Sequence, residues 1–375
     1  MLVRFGWRLH RWGREMEDSG GVSLSILELG KEGLEAWLAE RGEKPYRARQ
    51  ILEWLFEKRV QGFDEMSNLG QELRAELERS FHIRPLETLE TSGAEDATRK
   101  YLFRLRDGQL IESVFIQASP GSYGEQSDRR TICISSQVGC AYDCRFCASG
   151  LAGFARNLTT AEIVAQVLQV EEKAGERVNN VVFMGMGEPL ANLKNLSEAI
   201  KILNAHWGVG IGGRHITVST SGLAPQIEKL ADDTEAQIRL AVSLHGASDE
   251  VRERIMPVNL KYPLDRLFEA LHYWLQRRKQ RITFEYILIK GVNDDLDQAR
   301  LLAKRARSVS ALVNLIPYNT VEGMPWERPA EEHQEAFLRA VKSGDVAATL
   351  RREKGGDINA ACGQLRLRRE GEVKS

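Results

Sequence analysis

The chain has 375 residues and a mass of 42.3 kDa, with 42% hydrophobic and 28% charged residues and only 10 prolines, which excludes collagenous, disordered and linker-dominated proteins. No apolar run approaches the ~18 residues that a membrane-spanning helix needs. The net charge is −1, so the overall balance neither favours nor excludes a nucleic-acid partner, and local patches must decide.

Residues 1–24 mix Arg, Trp and Glu and lack the apolar core of a secretory leader; a disordered extension of a cytoplasmic protein is expected. Residues 25–95 read as a small helical accessory domain. Leu52, Leu55 and Phe56 repeat at helical spacing, and Leu69, Leu73 and Leu77 do so after the break at Gly62. Between Lys44 and Arg59, the basic Lys44, Arg47, Arg49, Lys58 and Arg59 outnumber Glu53 and Glu57. Such a run is usually a solvated helix face, and a phosphate-tracking surface is the alternative.

Residues 96–130 form a hairpin and linker. The period changes to two around Asp107-Gly108, a hairpin signal. On the second strand Glu112 shares a face with Leu110, Val114 and Ile116. Pattern alone favours an exposed edge for this carboxylate over a general base held in a site.

Residues 131–345 alternate strand and helix, with strand-like runs at Thr131–Ser135, Val181–Met184, His215–Ser219, Ile238–Ser243, Ile282–Ile289 and Leu312–Pro317. Six such units predict an α/β fold, a partial (β/α)6 barrel with crossover helices. Cys140, Glu188, Ser219, His245 and Asn319 all fall at the C-terminal ends of predicted strands, where barrel enzymes assemble their sites. Residues 346–375 form a C-terminal segment carrying Cys362.

Five cysteines in a cytoplasmic chain do not read as a disulfide framework. Cys140, Cys144 and Cys147 have CxxxCxxC spacing. Structural zinc wants four closed ligands, and no second CxxC or His pair lies nearby. Three thiolates suit a [4Fe-4S] cluster with one open iron, able to bind the amino and carboxylate groups of S-adenosylmethionine. A zinc site and buried structural cysteines are the alternatives. Gly185-Met-Gly-Glu-Pro189 lets backbone approach a ligand and Glu188 offers an acceptor, although a lone Gly-rich turn is more often structural. Ser219, Ser243, His245 and Asn319 suit hydrogen bonding to a nucleoside or serve equally as caps and turns. Cys133 alone reads as a buried strand residue. Cys362 lies in a polar Gly-rich segment with six basic against two acidic residues between Arg351 and Arg369, which favours the thiolate and attracts phosphate.

CxxxCxxC with Phe146 before the third cysteine resembles the radical S-adenosylmethionine superfamily. Seven further blocks narrow the likeness: Cys133-Ile-Ser-Ser-Gln-Val-Gly-Cys140, Phe183-Met-Gly-Met-Gly-Glu-Pro-Leu190, Val218-Ser-Thr-Ser-Gly222, Ser243-Leu-His-Gly-Ala247, Ile255-Met-Pro-Val-Asn259, Asn314-Leu-Ile-Pro-Tyr-Asn319 and Gly356-Asp-Ile-Asn-Ala-Ala-Cys-Gly-Gln-Leu365. In order, from Lys44 to Leu365, they resemble the RlmN/Cfr family of RNA adenosine methyltransferases.

The resemblance implies a radical S-adenosylmethionine barrel with S-adenosylmethionine contacts at Gly187, Glu188, Ser219, Ser243, Leu244, His245 and Asn319. It makes Cys362 the methyl carrier, Cys133 its partner in a transient disulfide and Glu112 the base. Two S-adenosylmethionine molecules serve each turnover: one methylates Cys362, and the other yields a 5'-deoxyadenosyl radical that activates the S-methyl group for addition to adenine. The implied substrates are 23S rRNA and an adenosine beside the tRNA anticodon. The implied partners are cellular one-electron and disulfide reductants, acting on a monomer with no membrane association. Methylation at adenine C2 is preferred over the Cfr-type C8 because the accessory domain is long; a zinc-stabilised RNA-binding protein is the non-catalytic alternative. The stretch Gln117–Arg129 looks longer than usual for the family, and Asn359 replaces a common Asp.

Overall fold

The computed structural model describes residues 24–93, 98–117, 128–151, 153–319 and 323–351. Cys362 and residues 1–23 lie outside the described residues. The strands in chain order are β1 (Leu24–Ser25), β2 (Phe81–His82), β3 (Leu86–Ser92), β4 (Arg99–Leu105), β5 (Leu110–Gln117), β6 (Arg130–Cys133), β7 (Gln137–Gly139), β8 (Phe154–Asn157), β9 (Asn180–Phe183), β10 (Ile216–Thr220), β11 (Arg239–Ser243), β12 (Ile282–Leu288), β13 (Leu312–Pro317) and β14 (Ala348–Leu350).

Ten of them make one sheet in the order β14-β13-β12-β11-β10-β9-β6-β5-β4-β3. From β6 to β14 every pair is parallel, while β3, β4 and β5 continue the sheet as an antiparallel meander. Among the described residues β3 and β14 remain the two edges, so the barrel is partial. Helices Thr160–Ala174, Leu193–Asn204, Ala224–Asp233, Leu264–Arg278 and Leu296–Ser308 provide the crossovers. Short β14 adds a seventh parallel strand to the six expected from sequence.

Period two separates the two faces of the sheet. Ile132, Val181, Phe183, Val218, Leu240, Val242, Phe284 and Leu315 are fully buried on one face and join the main apolar core. The registers Cys133↔Val182↔Thr217 and Ser219↔Ala241↔Thr283 define the other face. There a polar row runs through Ser243, Glu285, Asn314 and Thr349. Polar side chains on the inner face are what a lumen that receives ligands requires, since a purely structural parallel sheet reads as continuous apolar runs.

The hairpin turns at Asp107-Gly108, where Gly108 takes φ +85° and the Asp107 carboxylate accepts from the Gln109 N–H at 3.1 Å. Strand β3 was not visible in the sequence. Its register slips between Thr88 and Glu90, and this bulge destroys the alternation that would reveal a strand. The sheet therefore begins inside the stretch expected to be helical, and the hairpin at 99–117 is part of the sheet.

The helices Gly30–Ala39, Tyr46–Glu53 and Gln71–Ser80 form the N-terminal unit. Leu52, Leu55 and Phe56 are buried as their spacing implies, and their cluster is continuous with that of the barrel. After Glu53 the helix widens by one π turn over Trp54–Lys58 and stops at Arg59 in the left-handed region. Arg59 then pairs with Glu171 at 2.5 Å, tying this unit to helix Thr160–Ala174.

Candidate active site at the strand C-termini

The cluster loop leaves the sheet through a small ribbon, β7 antiparallel to β8, and the Cys140 N–H donates to the Gly153 carbonyl at 2.9 Å, closing the loop at its base. Cys147 N–H donates to the Cys144 carbonyl at 2.9 Å and Arg145 N–H to the Ile255 carbonyl at 2.9 Å. Asp143 turns the loop with φ +45°. Burial, together with Cys147, Glu188 and Asp143 and against a backbone hydrogen bond from Tyr142, pushes the Cys140 thiol up to about 12. Cys144 also lies well above the usual thiol range through burial, then Cys147 and Cys140. Cys140 and Cys144 therefore feel the other loop sulfurs in a half-buried site, and a cationic centre would reverse the preference of these two for the neutral form. Among the described residues no three His, Cys, Asp or Glu side chains close tightly enough to hold one metal ion. Three thiols with no fourth ligand fit a cluster more readily than a closed zinc site.

Behind this loop lies the turn after β9. Gly187 has φ +96°, and a Cβ there would meet Gln137 Cβ at 2.5 Å. The close approach visible here is to strand β7, so the glycine has a structural reason of its own. Glu188 is buried, and its Oε1 accepts from the Leu190 N–H at 3.0 Å while Oε2 accepts from the Ser221 N–H at 2.6 Å. Burial raises its pKa, opposed by these backbone donors. A carboxylate has about four lone-pair sites, so two backbone bonds leave capacity for a ligand ammonium.

Ser219 lies on the inner face near the end of β10, and Ser243 ends β11. Leu244 N–H donates to the Glu285 carbonyl at 3.0 Å. His245 sits at φ +54°, accepts from the Ile287 N–H at Nδ1 (3.1 Å) and meets the Phe146 ring edge-on at 4.7 Å. That ring contact joins the cysteine loop to the β11 turn. Burial, then Arg252, lowers the His245 pKa to about 3. The imidazole is therefore neutral, and because Nδ1 accepts, the proton is on Nε2. Asn319 follows β13, its Oδ1 accepting from Arg328 Nη2 at 2.5 Å while Arg328 Nε donates to the Tyr318 carbonyl at 2.9 Å.

The sequence did not single out Arg252. It is fully buried and donates to the Leu244 carbonyl (3.1 Å), to Asn259 Oδ1 (3.0 Å) and to the Ser221 carbonyl. Burial lowers its pKa to about 10, so it stays cationic, and its charge reaches Cys144. One guanidinium thus fixes the turns after β10 and β11. Ser135 and Gln166 were also missed: Ser135 Oγ donates to the Glu112 carbonyl (2.7 Å) and accepts from the Met186 N–H (2.9 Å), while Gln166 Oε1 accepts from Ser113 Oγ and the Ser135 N–H, both at 2.8 Å. Ser135 lies inside the Cys133–Cys140 block, whereas nothing in the sequence marks Gln166 within its helix.

Glu112 is buried, which corrects the edge position that pattern alone favoured. β5 is flanked by β4 and β6 and has no exposed edge. Register sets Val114 opposite Cys133, so Glu112 and Cys133 share a face as diagonal neighbours on adjacent strands. Cys133 is buried as the last residue of β6. The structure thus gathers Glu112, Cys133, Glu188, Ser219, Ser243, Leu244, His245 and the three loop cysteines around one end of the sheet.

A parallel sheet open at one side, with three cysteines on the loop after its first parallel strand, defines a radical S-adenosylmethionine enzyme, and residues 134–303 match the radical SAM superfamily. Residues 24–83 match the ribosomal RNA large subunit methyltransferase N-terminal domain. A probable dual-specificity RNA methyltransferase RlmN of Akkermansia muciniphila is 54% identical over 91% of this chain and 95% of its own length. One from Bacillus licheniformis is 44% identical over 93% of this chain and 95% of its own. A radical SAM methyltransferase of Sphaerobacter thermophilus superimposes with a TM-score of 0.84 at 40% identity, covering 91% of this chain and 98% of that one. The chain belongs to the RlmN family of radical S-adenosylmethionine RNA methyltransferases.

Proposed function

We propose that this chain methylates C2 of an adenosine in 23S rRNA and of an adenosine beside the anticodon of tRNA, by a ping-pong route through S-methylated Cys362. The observation that carries the reading is the meeting of the three-cysteine loop, a set of polar strand ends and a buried carboxylate beside Cys133 at one end of the sheet. Relatives that span almost the whole chain carry the dual-specificity RNA methyltransferase name.

Cys140, Cys144 and Cys147 would hold the [4Fe-4S] cluster, whose chemistry when bound is the one-electron cleavage of S-adenosylmethionine. Glu188 would accept from the ligand's ammonium, and the neutral His245 offers its Nε2–H as a donor. Gly187, Ser219, Ser243, Leu244 and Asn319 complete the contacts. Cys362 attacks a sulfonium methyl as a thiolate. After its activated methyl carbon has joined the adenine ring, the unpaired electron passes to a one-electron acceptor and Glu112 takes the ring proton. Cys133 then attacks the Cys362 sulfur, the S–C bond breaks, the released carbon takes a proton to become the methyl group, and a disulfide reductant resets the pair. Among the described residues no helix is long and apolar enough to cross a membrane.

Nucleoside mass spectrometry of RNA treated with the reconstituted enzyme tests the reading. 2-Methyladenosine from both RNAs is expected; 8-methyladenosine would overturn the regiochemistry, and modification of one RNA class alone would overturn the dual substrate.

A further inference from the structure

Register places Lys100 opposite Val114 and Leu102 opposite Glu112, so Lys100 and Glu112 are diagonal neighbours on one face of β4 and β5. Val114 in turn lies opposite Cys133, and the three groups Lys100, Glu112 and Cys133 therefore occupy one patch of the same face. Both ionic side chains are almost fully enclosed, 3% exposed for Lys100 and 4% for Glu112. Lysines and glutamates are almost never buried to this degree unless paired. Lys100 Nζ stands 3.9 Å from Glu112 Oε1. That is a charge contact, longer than the ~2.9 Å of a closed N–H···O bond, and it sets an ammonium beside the carboxylate on one face of the ladder.

We infer that Lys100 is a positioning residue for the base, countering the charge of the Glu112 carboxylate and orienting it beside Cys133. The inference rests on the reading of Glu112 as the base. In the step concerned, the ring C–H bond breaks, an O–H bond forms on Glu112, and the bonding pair stays with the ring. Lys100 neither gives nor takes a proton. Its ammonium makes a buried anion tolerable before the transfer, and the fixed geometry of the β4–β5 ladder keeps the acceptor oxygen where the ring carbon arrives. A flexible lysine on an exposed strand could do neither.

The experiment uses the reconstituted holoenzyme and RNA and follows three readouts: Cys362 methylation by intact mass, 5'-deoxyadenosine formation, and the lifetime of the RNA–protein adduct on a denaturing gel. Lys100→Met should leave the first two near wild type and slow adduct release on the order of 10²-fold, the usual result of a misplaced catalytic group. Lys100→Arg should recover most of that loss. Lys100→Gln, which keeps a donor without the charge, should behave like Lys100→Met and serves if the latter unfolds. In a Glu112→Gln background Lys100→Met should add nothing further, because a residue acting through Glu112 has nothing left to act on. Wild-type adduct release in both neutral variants, equal loss of all three readouts, or an additive effect in the double variant would overturn the role of Lys100. Normal release by Glu112→Gln itself would instead remove the base reading.

Discussion

On the parallel side of the site, Glu188, Leu244 and His245 are held through backbone groups and one buried guanidinium, whereas on the antiparallel side Glu112 is held by a ladder and a buried ammonium. The first arrangement suits the proposed ligand at the strand ends: apart from that guanidinium, every anchor is a main-chain donor or acceptor whose place is set by the turn. The second, in the proposed function, keeps a charge in reserve for a proton that arrives only once per turnover. Removing an anchor on the parallel side should disturb folding and ligand binding together. Removing the charge on the antiparallel side should spare both and stop a late step.

The sharpest break is at the loop. Cys140→Ala, Cys144→Ala or Cys147→Ala should abolish iron absorbance and all S-adenosylmethionine cleavage, because three thiolates leave no spare ligand; near-wild-type iron and turnover in any one of them would end the cluster assignment. Next comes the antiparallel wall, where Glu112→Gln should keep the iron, Cys362 methylation and deoxyadenosine formation while accumulating RNA attached through Cys362. Release should slow by roughly 10²-fold or more, as for loss of a general base, read from a denaturing gel with labelled RNA.

Gly187→Ala asks whether the parallel side is as stiff as its contacts imply. It forces a left-handed backbone and a 2.5 Å clash with Gln137, so a loss of roughly 2 kcal/mol or more in a denaturant titration is expected. A loss under about 0.5 kcal/mol would mean that the turn yields. The last effect concerns His245 and appears only on acidification. Its folded pKa of about 3 lies below the unfolded value near 6.5, so between those limits the unfolded chain binds the extra proton. Stability from this residue is full above pH ~6.5 and is lost as pH falls towards 3, with a slope of up to ~1.4 kcal/mol per pH unit. His245→Asn should remove that component from the pH dependence of unfolding; an unchanged slope would place the imidazole in solvent.

Much of the parallel side was legible in the chain. Six strand-like runs lie within a residue or two of β6, β9, β10, β11, β12 and β13, because strand ends in this fold are marked by Gly, Ser and Asn. The candidate residues follow from the same punctuation. What stayed hidden depends on pairing across distance. The burial of Glu112 follows from β5 having neighbours on both sides, and Arg252 looks like one more charge in Asp249–Ile255 until the turns close around it. The basic run near Lys44 shows the same limit. Arg59 is spent on Glu171, Arg47 on Gln50 and Asn68, and Lys58 lies against Trp54, which leaves Lys44 and Arg49 as its exposed, uncommitted-looking charges.

The ten-stranded sheet has one more consequence, which concerns how the molecule comes into being. Its strands stand side by side in the order in which they occur along the chain, from β3 to β14, with only the small β7–β8 ribbon set aside. Each strand can therefore dock on one synthesised just before it, and no pairing has to wait for a distant segment. Growth on the ribosome is expected to proceed as a zipper, the meander serving as its template and β14 arriving last. Pulse-labelled hydrogen exchange during refolding should then show protection spreading from β4 and β5 towards β14, and protection appearing first at β12 and β13 would refute that order.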